Sequence, residues 1–253
     1  DRVSVQFSNG RQAAGDALVG ADGLRSVVRE RLGIHGALRF AGYTAWRSVA
    51  PFETRGLIAG ESLGCGQRFG LVPITRNRVY WYATDNAPEG SREDPQAAKE
   101  RLLDLFRSWH SPIPALIEAT EAHRILRNDI YDREPVDRWG EGRVTLLGDA
   151  AHPMTPNLGQ GACQAIEDAV VLARRLAEGG REVAAAMRAY ESERIARTKT
   201  VVTGSRRVGQ MGQIQSPVLC RLRDFALRMI PLTMTYRNLE TLAGYEGHLD
   251  QMG

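Results

Sequence analysis

The sequence lacks the features that are typical of membrane-spanning and nucleic-acid-binding proteins. No apolar run in its 253 residues approaches the roughly 20 residues that a membrane-spanning helix needs. Its 33 basic and 30 acidic residues are intermixed along the chain, so the net charge of +3 carries no nucleic-acid or membrane-surface signature. We therefore expect a globular protein with no nucleic-acid partner and no stable membrane span.

Cysteine and histidine give no metal or disulfide signal. The three cysteines, Cys65, Cys163 and Cys220, are widely spaced, which favours buried thiols in a reducing, cytoplasmic compartment. Cys163 in particular is expected to be a small packed residue. No metal site is predicted, because four of the five histidines show no metal-ligand spacing with one another: His35, His110, His123 and His248.

The hydrophobic pattern predicts an α/β unit that is interrupted by a β-rich insert. Residues 1–34 alternate through a hairpin into a short buried strand and a helix, and residues 129–180 contain the strand "RVTLL" and a second helix. Residues 35–128 form the insert, with several aromatic-rich strands. Residues 181–253 have the pattern of amphipathic helices with a break at Pro231, and we expect these helices to pack back on the α/β unit.

Two stretches of the insert carry local structural signals. "DPQAAKERLLDLFRSWH" has an acidic N-cap, a proline in the first turn and apolar residues at helical spacing, so it is predicted to be a surface helix. In "GYTAWRSVA" alternate side chains share a face of a strand. Tyr43, Ala45 and Arg47 are expected on one face and Thr44, Trp46 and Ser48 on the other.

The stretch "GDAAHPMTPNLGQG" at residues 148–161 joins the strand "RVTLL" to a long amphipathic helix. Ligands of open α/β sheets bind at the carboxyl ends of strands, so Asp149 is placed to accept a hydrogen bond from a sugar or polyol hydroxyl. Gly159 and Gly161 let backbone N–H groups approach a flat or anionic group, and the helix start adds a positive dipole end. Pro153 and Pro156 limit the conformations of the loop. Simple turn chemistry is the alternative for each glycine and proline taken alone.

A second loop, "GADGLRSVVR", also follows a buried strand. Asp22 at the strand end faces a crevice, and the flanking glycines Gly20 and Gly23 permit close approach of a phosphate or ribose. Arg25 and Arg29 follow on a predicted helix. Taken alone this loop is a weak signal, because aspartate-glycine turns are common and both arginines fit an ordinary surface.

Together the two loops carry a more specific signal. In this order, and separated by a β-rich insert, "GADGLRSVVR" and "GDAAHPMTPNLGQGACQAIEDA" resemble the two later fingerprints of the flavin-dependent aromatic monooxygenases, the group A family of para-hydroxybenzoate hydroxylase. The resemblance covers nearly the whole chain. It implies a glutathione-reductase-like FAD/NAD(P)-binding α/β domain (1–34 and 129–180), an antiparallel β-sheet substrate domain (35–128) and C-terminal helices (181–253).

The resemblance also implies a cofactor and a reaction. FAD is the implied cofactor, and NADH or NADPH is the co-substrate. The implied reaction is hydroxylation or epoxidation of an aromatic or polyene small molecule through a flavin C4a-hydroperoxide.

By this resemblance the two loops hold the flavin. Asp149 binds the ribityl chain, the N–H groups around Gly159 to Ala162 lie beside the N1–C2=O edge of the ring, and Asp22 lies at the pyrophosphate. Pro153, the implied catalytic residue, shields the reactive edge of the ring from water. His152 is expected to be packed and hydrogen-bonded rather than catalytic. The implied cofactor-binding residues are Asp22, Gly23, Arg25, Gly148, Asp149, Pro156, Gly159, Gln160, Gly161 and Ala162.

Substrate-binding residues are implied by similarity to flavin-dependent urate hydroxylases. Arg68 and Tyr80 match positions that contact substrate in those enzymes, and Asn157 stands where they have an aspartate. The absent carboxylate weighs against urate as substrate. Arg68 would suit an acidic or phenolate substrate and Tyr80 could donate to its oxygen. The alternatives are a surface arginine on a sheet edge and an interior tyrosine.

One family feature is missing, the glycine-rich G-x-G-x-x-G loop that cradles the ADP half of FAD. We therefore expect about one hundred further residues upstream, and expect this piece alone to bind FAD poorly. Two other functions stay open: a flavin reductase or oxidase of the same superfamily, and a catalytically silent fragment. Besides the small-molecule substrate, the expected partners are a second copy in a homodimer and the upstream segment.

Overall fold

A computed structural model describes residues 2–75 and 77–231 of the chain. This part contains nine strands and six helices. The strands are β1 (Val3–Gln6), β2 (Gln12–Gly15), β3 (Leu18–Gly20), β4 (Arg39–Pro51), β5 (Gly60–Leu63), β6 (Gln67–Ile74), β7 (Arg78–Asn86), β8 (Leu126–Asp132) and β9 (Val144–Leu146). The helices are α1 (Val27–Arg31), α2 (Pro95–Phe106), α3 (Ile113–Glu118), α4 (Gly161–Gly179), α5 (Val183–Gly212) and α6 (Pro217–Met229).

The described residues divide into two compact units. The first comprises 2–39, 131–208 and 229–231, and the second comprises 40–130 and 209–228. The sequence-based division differs from this one, because it gave 181–253 a segment of its own. The reason is that α5 is a continuous helix of 30 residues and the boundary between the units falls inside it. Residues from 232 onward, with His248, lie outside the described residues.

In the first unit, β3 and β9 pair in parallel, with Leu18 opposite Val144 and Gly20 opposite Leu146. β1 and β2 form the predicted hairpin. Because parallel neighbours end at the same edge of a sheet, the loops that follow β3 and β9 begin side by side. These are the two loops that the sequence singled out. Behind them, one hydrophobic cluster forms the core, and its fully buried members include Trp139, Leu146, Val171, Met187 and Tyr190.

The second unit is built on the antiparallel sheet that the sequence predicted. Its strand order is β5-β6-β7-β4-β8, and β5–β6, β6–β7 and β7–β4 pair antiparallel. The predicted surface helix is α2, where the Asp94 side chain accepts from the Gln96 N–H at 2.8 Å and Pro95 occupies the first turn. α2 and α3 pack on one face of the sheet, where the rings of Phe69 and Trp81 stack with centroids 5.5 Å apart.

The predicted alternation along β4 is confirmed. Thr44, Trp46 and Ser48 are all buried, whereas Arg47 on the other face is exposed. Tyr43, which shares the face of Arg47, is also buried, because the guanidinium of Arg68 lies 5.4 Å from its ring centroid. The face opposite the core therefore carries Tyr43 and Arg47, with the Arg68 guanidinium beside the Tyr43 ring.

α6 departs from the expected core-facing helix. It belongs to the second unit, and its buried side carries Cys220 and Arg223, whose Nη2 donates to the Gly64 carbonyl at 3.0 Å. That polar anchor turns the apolar stripe of the helix outward. The exposed large side chains are Val218, Leu219, Leu222, Phe225 and Met229.

The cysteines also depart from expectation. Cys65 and Cys163 are exposed, and Cys220 is the buried one. Within residues 2–75 and 77–231, no group of His, Cys, Asp and Glu side chains could hold a metal ion. No helix of that same part combines the length and apolarity needed to cross a membrane.

Candidate functional site

Asp149 lies just beyond the carboxyl end of β9. The chain leaves the strand through a single 3-10 turn, Gly148–Ala150, in which Gly148 has φ 62°, the left-handed region that favours glycine. Asp149 is exposed, and its carboxylate makes no hydrogen bond or ion pair with any residue in the described part of the chain. An acceptor that is held at a strand end with no internal partner is available to a ligand hydroxyl.

The N-terminus of α4 has no side-chain cap. Gly159, with φ 64°, turns the chain into the helix, and the N-cap residue Gln160 makes no capping bond. The first N–H groups of an α-helix have no partner within the helix, so those of Gly161 and Ala162 remain open at its positive end. Gln160 Oε1 is buried and has no hydrogen-bond partner among the described residues. Free donors beside a free acceptor fit the pyrimidine edge of a flavin, which both accepts and donates hydrogen bonds.

The loop between Asp149 and α4 is tied to α5. Asn157 Nδ2 donates to Thr155 Oγ1 at 2.8 Å and to the Ser205 carbonyl at 3.0 Å. Ser205 Oγ in turn donates to the Thr155 carbonyl at 2.6 Å. Pro153 is buried and Pro156 is exposed. Asn157 thus fixes the loop, and its implied contact with substrate stays a prediction.

The loop after β3 is organised by its own carboxylate. Asp22 accepts from the Ser26 hydroxyl at 2.5 Å and from the N–H groups of Val27 and Val28 at 2.7 and 3.1 Å. Burial acts to raise the pKa of Asp22, but the hydrogen bonds from Ser26 and these N–H groups outweigh it and lower the pKa. α1 begins at Val27, after the Ser26 cap, so Arg25, which the sequence placed on the predicted helix, precedes it. Gly23 has φ 79° and Arg25 is exposed; their implied contacts with the cofactor stay predictions.

Arg29 joins the two loops. The Ser26 hydroxyl accepts from the Arg29 N–H at 2.9 Å, and the buried Arg29 guanidinium donates to the carbonyls of Ala150 and Ala151 at 3.0 and 2.9 Å. Burial, and secondly the charge of Arg133, lower the pKa of Arg29. Through the buried Arg29 guanidinium, the loop after β3 thus holds the turn that carries Asp149.

A buried ionic network supports the same turn from behind. Asp168 on α4 is fully buried and accepts from Gly148 N at 3.0 Å, from His152 Nε2 at 2.6 Å and from Arg194 Nε at 2.7 Å. Desolvation alone would raise the pKa of Asp168, but the hydrogen bond and charge of His152, with the other donors, lower it. Glu167 accepts from Arg194 as well, at 2.6 Å. His152 is accordingly packed and hydrogen-bonded, as the sequence suggested.

In the second unit, Arg68 on β6 is buried, with 3 % of its surface exposed, so it is not a surface arginine on a sheet edge. Its Nη1 lies 3.3 Å from Glu61 Oε1, and the Tyr82 hydroxyl donates to the same oxygen at 3.0 Å. Burial first, and the charge of Glu61 second, raise the pKa of Tyr82. Arg68 therefore already has a carboxylate partner, and its implied contact with substrate stays a prediction.

Two glycines make room for Arg68, Glu61 and Tyr82, which together we call the Arg68 cluster. A Cβ on Gly70 would lie 2.1 Å from Tyr82 Cζ, and one on Gly212 at the end of α5 would lie 2.7 Å from Arg68 Cδ. Real Cβ atoms do not approach so closely. Glycine at these two positions is thus what allows the Tyr82 ring and the Arg68 side chain to take their places.

Tyr80 lies further along the same face of β7. Its ring centroid is 6.3 Å from that of Tyr82, and it lines an open cavity of about 480 Å³ together with Arg47, Arg78 and Arg124. Its direct neighbour in the Arg68 cluster is therefore Tyr82, which the sequence reasoning did not select.

Several residues that support the candidate positions were missed from the sequence. They are Asp168 and Arg194 in the first unit and Glu61 and Tyr82 in the second, and Arg29 was named only as an ordinary surface residue. The sequence pattern could have indicated Asp168. It lies four residues after the buried Gln164 and three before the buried Val171, which is the helical spacing of the buried face of α4. A carboxylate at such a core position indicates an internal cation or donor.

Comparisons with known proteins identify the family of the chain. A profile of the family described as FAD binding domain matches residues 8–205. Aurachin C monooxygenase/isomerase of Stigmatella aurantiaca is 48% identical over 246 residues, which is 95% of this chain and 64% of that protein. Chloroplastic zeaxanthin epoxidase of Nicotiana plumbaginifolia is 43% identical over 208 residues, 77% of this chain and 31% of that protein.

A solved structure is also similar to this chain in fold and in sequence. HpxO of Klebsiella pneumoniae, complexed with FAD and uric acid, superposes with a TM-score of 0.90 at 34% identity, over 98% of this chain and 65% of that one. The chain thus spans just under two thirds of the length of its more fully matched relatives. Because the family profile covers most of the sequence, the chain belongs to the FAD-binding-domain family of the group A flavoprotein monooxygenases.

Proposed function

We propose that this chain holds FAD between its two loops and acts within an NADH- or NADPH-dependent monooxygenase that inserts one oxygen atom into an aromatic or unsaturated small molecule. The observation that carries the proposal is the cluster of unsatisfied groups at one edge of the first unit: the Asp149 carboxylate, the open N–H groups of α4 and the buried Gln160 Oε1. The reaction class is supported by the monooxygenase and epoxidase among the relatives.

The residues would divide the work of holding the cofactor. Asp149 would accept from a ribityl hydroxyl, and Gly161, Ala162 and Gln160 would meet the pyrimidine edge of the ring. The positive end of α4 would stabilise negative charge there, so reduction would become easier. FAD would supply electron transfer from the nicotinamide and activation of dioxygen. Pro153, buried in the same loop, is proposed to exclude water from the reacting edge.

The Arg68 cluster is proposed to hold the substrate. Glu61 already balances the charge of Arg68, so a neutral hydrogen-bonding group, such as a ring carbonyl or phenol, suits this wall better than a free carboxylate. HpxO holds uric acid, yet Asn157 here replaces the aspartate that the urate hydroxylases are expected to use. We therefore propose an aromatic substrate other than urate. A cytoplasmic location belongs to the same proposal and is supported by three free thiols.

FAD titration into the protein in the form that the cell makes tests the cofactor site. Asp149→Ala should weaken binding by about tenfold or more, because loss of the acceptor for a buried hydroxyl costs about 1–3 kcal/mol. The matched control is Asp16→Ala, which removes an exposed carboxylate in the same unit. Equal affinities for the wild type and Asp149→Ala would contradict the assignment.

Product analysis under ¹⁸O₂ tests the reaction. Incorporation of one labelled atom into product by the flavin-loaded protein supports monooxygenation. Nicotinamide oxidation without label in any organic product would instead favour the reductase or oxidase function. Failure of the protein, in the form that the cell makes, to retain flavin at saturating FAD would favour a catalytically silent role.

A further inference from the structure

Two cysteines that are far apart in sequence meet in the second unit. Cys65 lies in the turn between β5 and β6 and is exposed, whereas Cys220 lies on α6 with 3 % of its surface exposed. The Cys220 thiol donates to the Ile214 carbonyl at 3.2 Å and lies 3.9 Å from the carbonyl of Gly64, the residue before Cys65. The turn that carries one thiol is therefore in contact with the other.

The contact between this turn and α6 is extensive. Arg223 Nη2 donates to the same Gly64 carbonyl at 3.0 Å, and a Cβ on Gly66 would lie 2.9 Å from Cγ of Gln215, just before α6. Cys65 is thus flanked on both sides by residues that touch the α6 segment. The pKa of Cys220 is raised by burial first and by the neighbouring Cys65 thiol second, which agrees with the contact between this turn and α6.

The two thiols differ in reactivity. Peroxides react first with accessible thiols, so the exposed Cys65 is the expected site of attack and the buried Cys220 the expected resolving partner. Cys163 is also exposed, but it belongs to the first unit and has no second cysteine in that unit.

We propose that Cys65 and Cys220 form a reversible intramolecular disulfide when the protein meets hydrogen peroxide. The Cys65 sulfur attacks the O–O bond, which breaks; one oxygen stays on sulfur as a sulfenic acid and the other leaves as water with the thiol proton. The Cys220 sulfur then attacks the Cys65 sulfur, and the second oxygen leaves as water. Two thiols are oxidised by two electrons and one peroxide is reduced to two waters. A dithiol reductant reverses the change.

The bond would fix the start of β6 to α6. β6 begins at Gln67 and Arg68, two residues after Cys65, so the disulfide would hold the strand that carries Arg68. The proposal rests on the thiol pair alone and does not require that the chain be a monooxygenase.

Peptide mass mapping under non-reducing conditions tests the proposal. The reduced full chain is treated with hydrogen peroxide, alkylated and digested. We expect a Cys65–Cys220 linked peptide, loss of two of the three free thiols, and their return with dithiothreitol. No disulfide-linked dimer should appear on a denaturing, non-reducing gel.

Single variants separate the proposal from general oxidation. Cys163→Ser should still form the linked peptide, and Cys65→Ser, which changes only an exposed side chain, should lose it and leave Cys220 unmodified. Accumulation of sulfinic or sulfonic Cys65 without a link would overturn the proposal, and so would linkage of Cys163 at the same rate. The test does not need a substitution of the buried Cys220, which could impair folding, because wild type and Cys163→Ser both retain the Cys65–Cys220 pair.

Discussion

Asp168→Asn should destabilise the first unit by about 3 kcal/mol, because removing one partner from a buried ion pair costs roughly 3–5 kcal/mol. The carboxylate accepts from Gly148, His152 and Arg194, and Arg194 keeps only 1 % of its surface exposed. An asparagine offers one oxygen and presents an NH₂ to a site lined by donors. Glu167 remains as a partner for Arg194, which places the loss at the low end of the range.

Urea denaturation followed by far-UV circular dichroism, which reports the helices and among them the long α4 and α5, measures this loss. Asp137→Asn is the matched control, because Asp137 is an exposed carboxylate of the same unit, 3.4 Å from Lys199, and exposed pairs contribute about 0–1 kcal/mol. A loss below about 1 kcal/mol for Asp168→Asn, or equal losses in the two variants, would refute the argument that this network supports the turn.

The pH dependence of Asp168 follows from the direction of its pKa shift. Its pKa is lower in the folded state, so its contribution to stability is present above the unfolded pKa of about 3.9 and is lost as the pH falls through the folded value. The difference in unfolding free energy between wild type and Asp168→Asn should therefore be largest near neutral pH and shrink below about pH 4. A difference that grows on acidification would contradict this sign.

Two further substitutions test other contacts. Arg29→Met should lower the free energy of unfolding in urea by about 2–4 kcal/mol, because the carbonyls of Ala150 and Ala151 lose their donor. Arg25→Met, which changes an exposed side chain, should lower it little. Similar losses in the two variants would argue against the link between the loops. Gly70→Ala should lower stability by about 1–3 kcal/mol and release Tyr82 from Glu61, because the new Cβ would overlap the Tyr82 ring. Gly60→Ala is the control, since a Cβ at Gly60 has free space around it. Equal melting temperatures of the two variants would be inconsistent with this packing.

Much of the fold could be predicted because its signals are local. The cap at Asp94, the alternation along β4 and the glycines before α4 each follow from backbone preferences within a few residues. The placement of Asp149 beyond β9 likewise follows from a short apolar strand that ends in a glycine.

The rest depends on contacts between distant parts of the chain. Nothing near Arg68 in sequence indicates that Glu61 balances its charge or that Gly212 packs against it. The pairing of Cys65 with Cys220 and the outward apolar face of α6 depend on where the β5–β6 turn meets that helix. Periodicity shows which face of a helix is apolar, but not whether the fold supplies a partner for it.

The most direct test is a structure of the FAD complex of this protein in the form that the cell makes. We expect the pyrimidine edge of the flavin to lie against the N–H groups of Gly161 and Ala162, with a ribityl hydroxyl on Asp149. A flavin bound elsewhere, with the N-terminus of α4 and Asp149 both free of it, would show that these groups do not hold the cofactor.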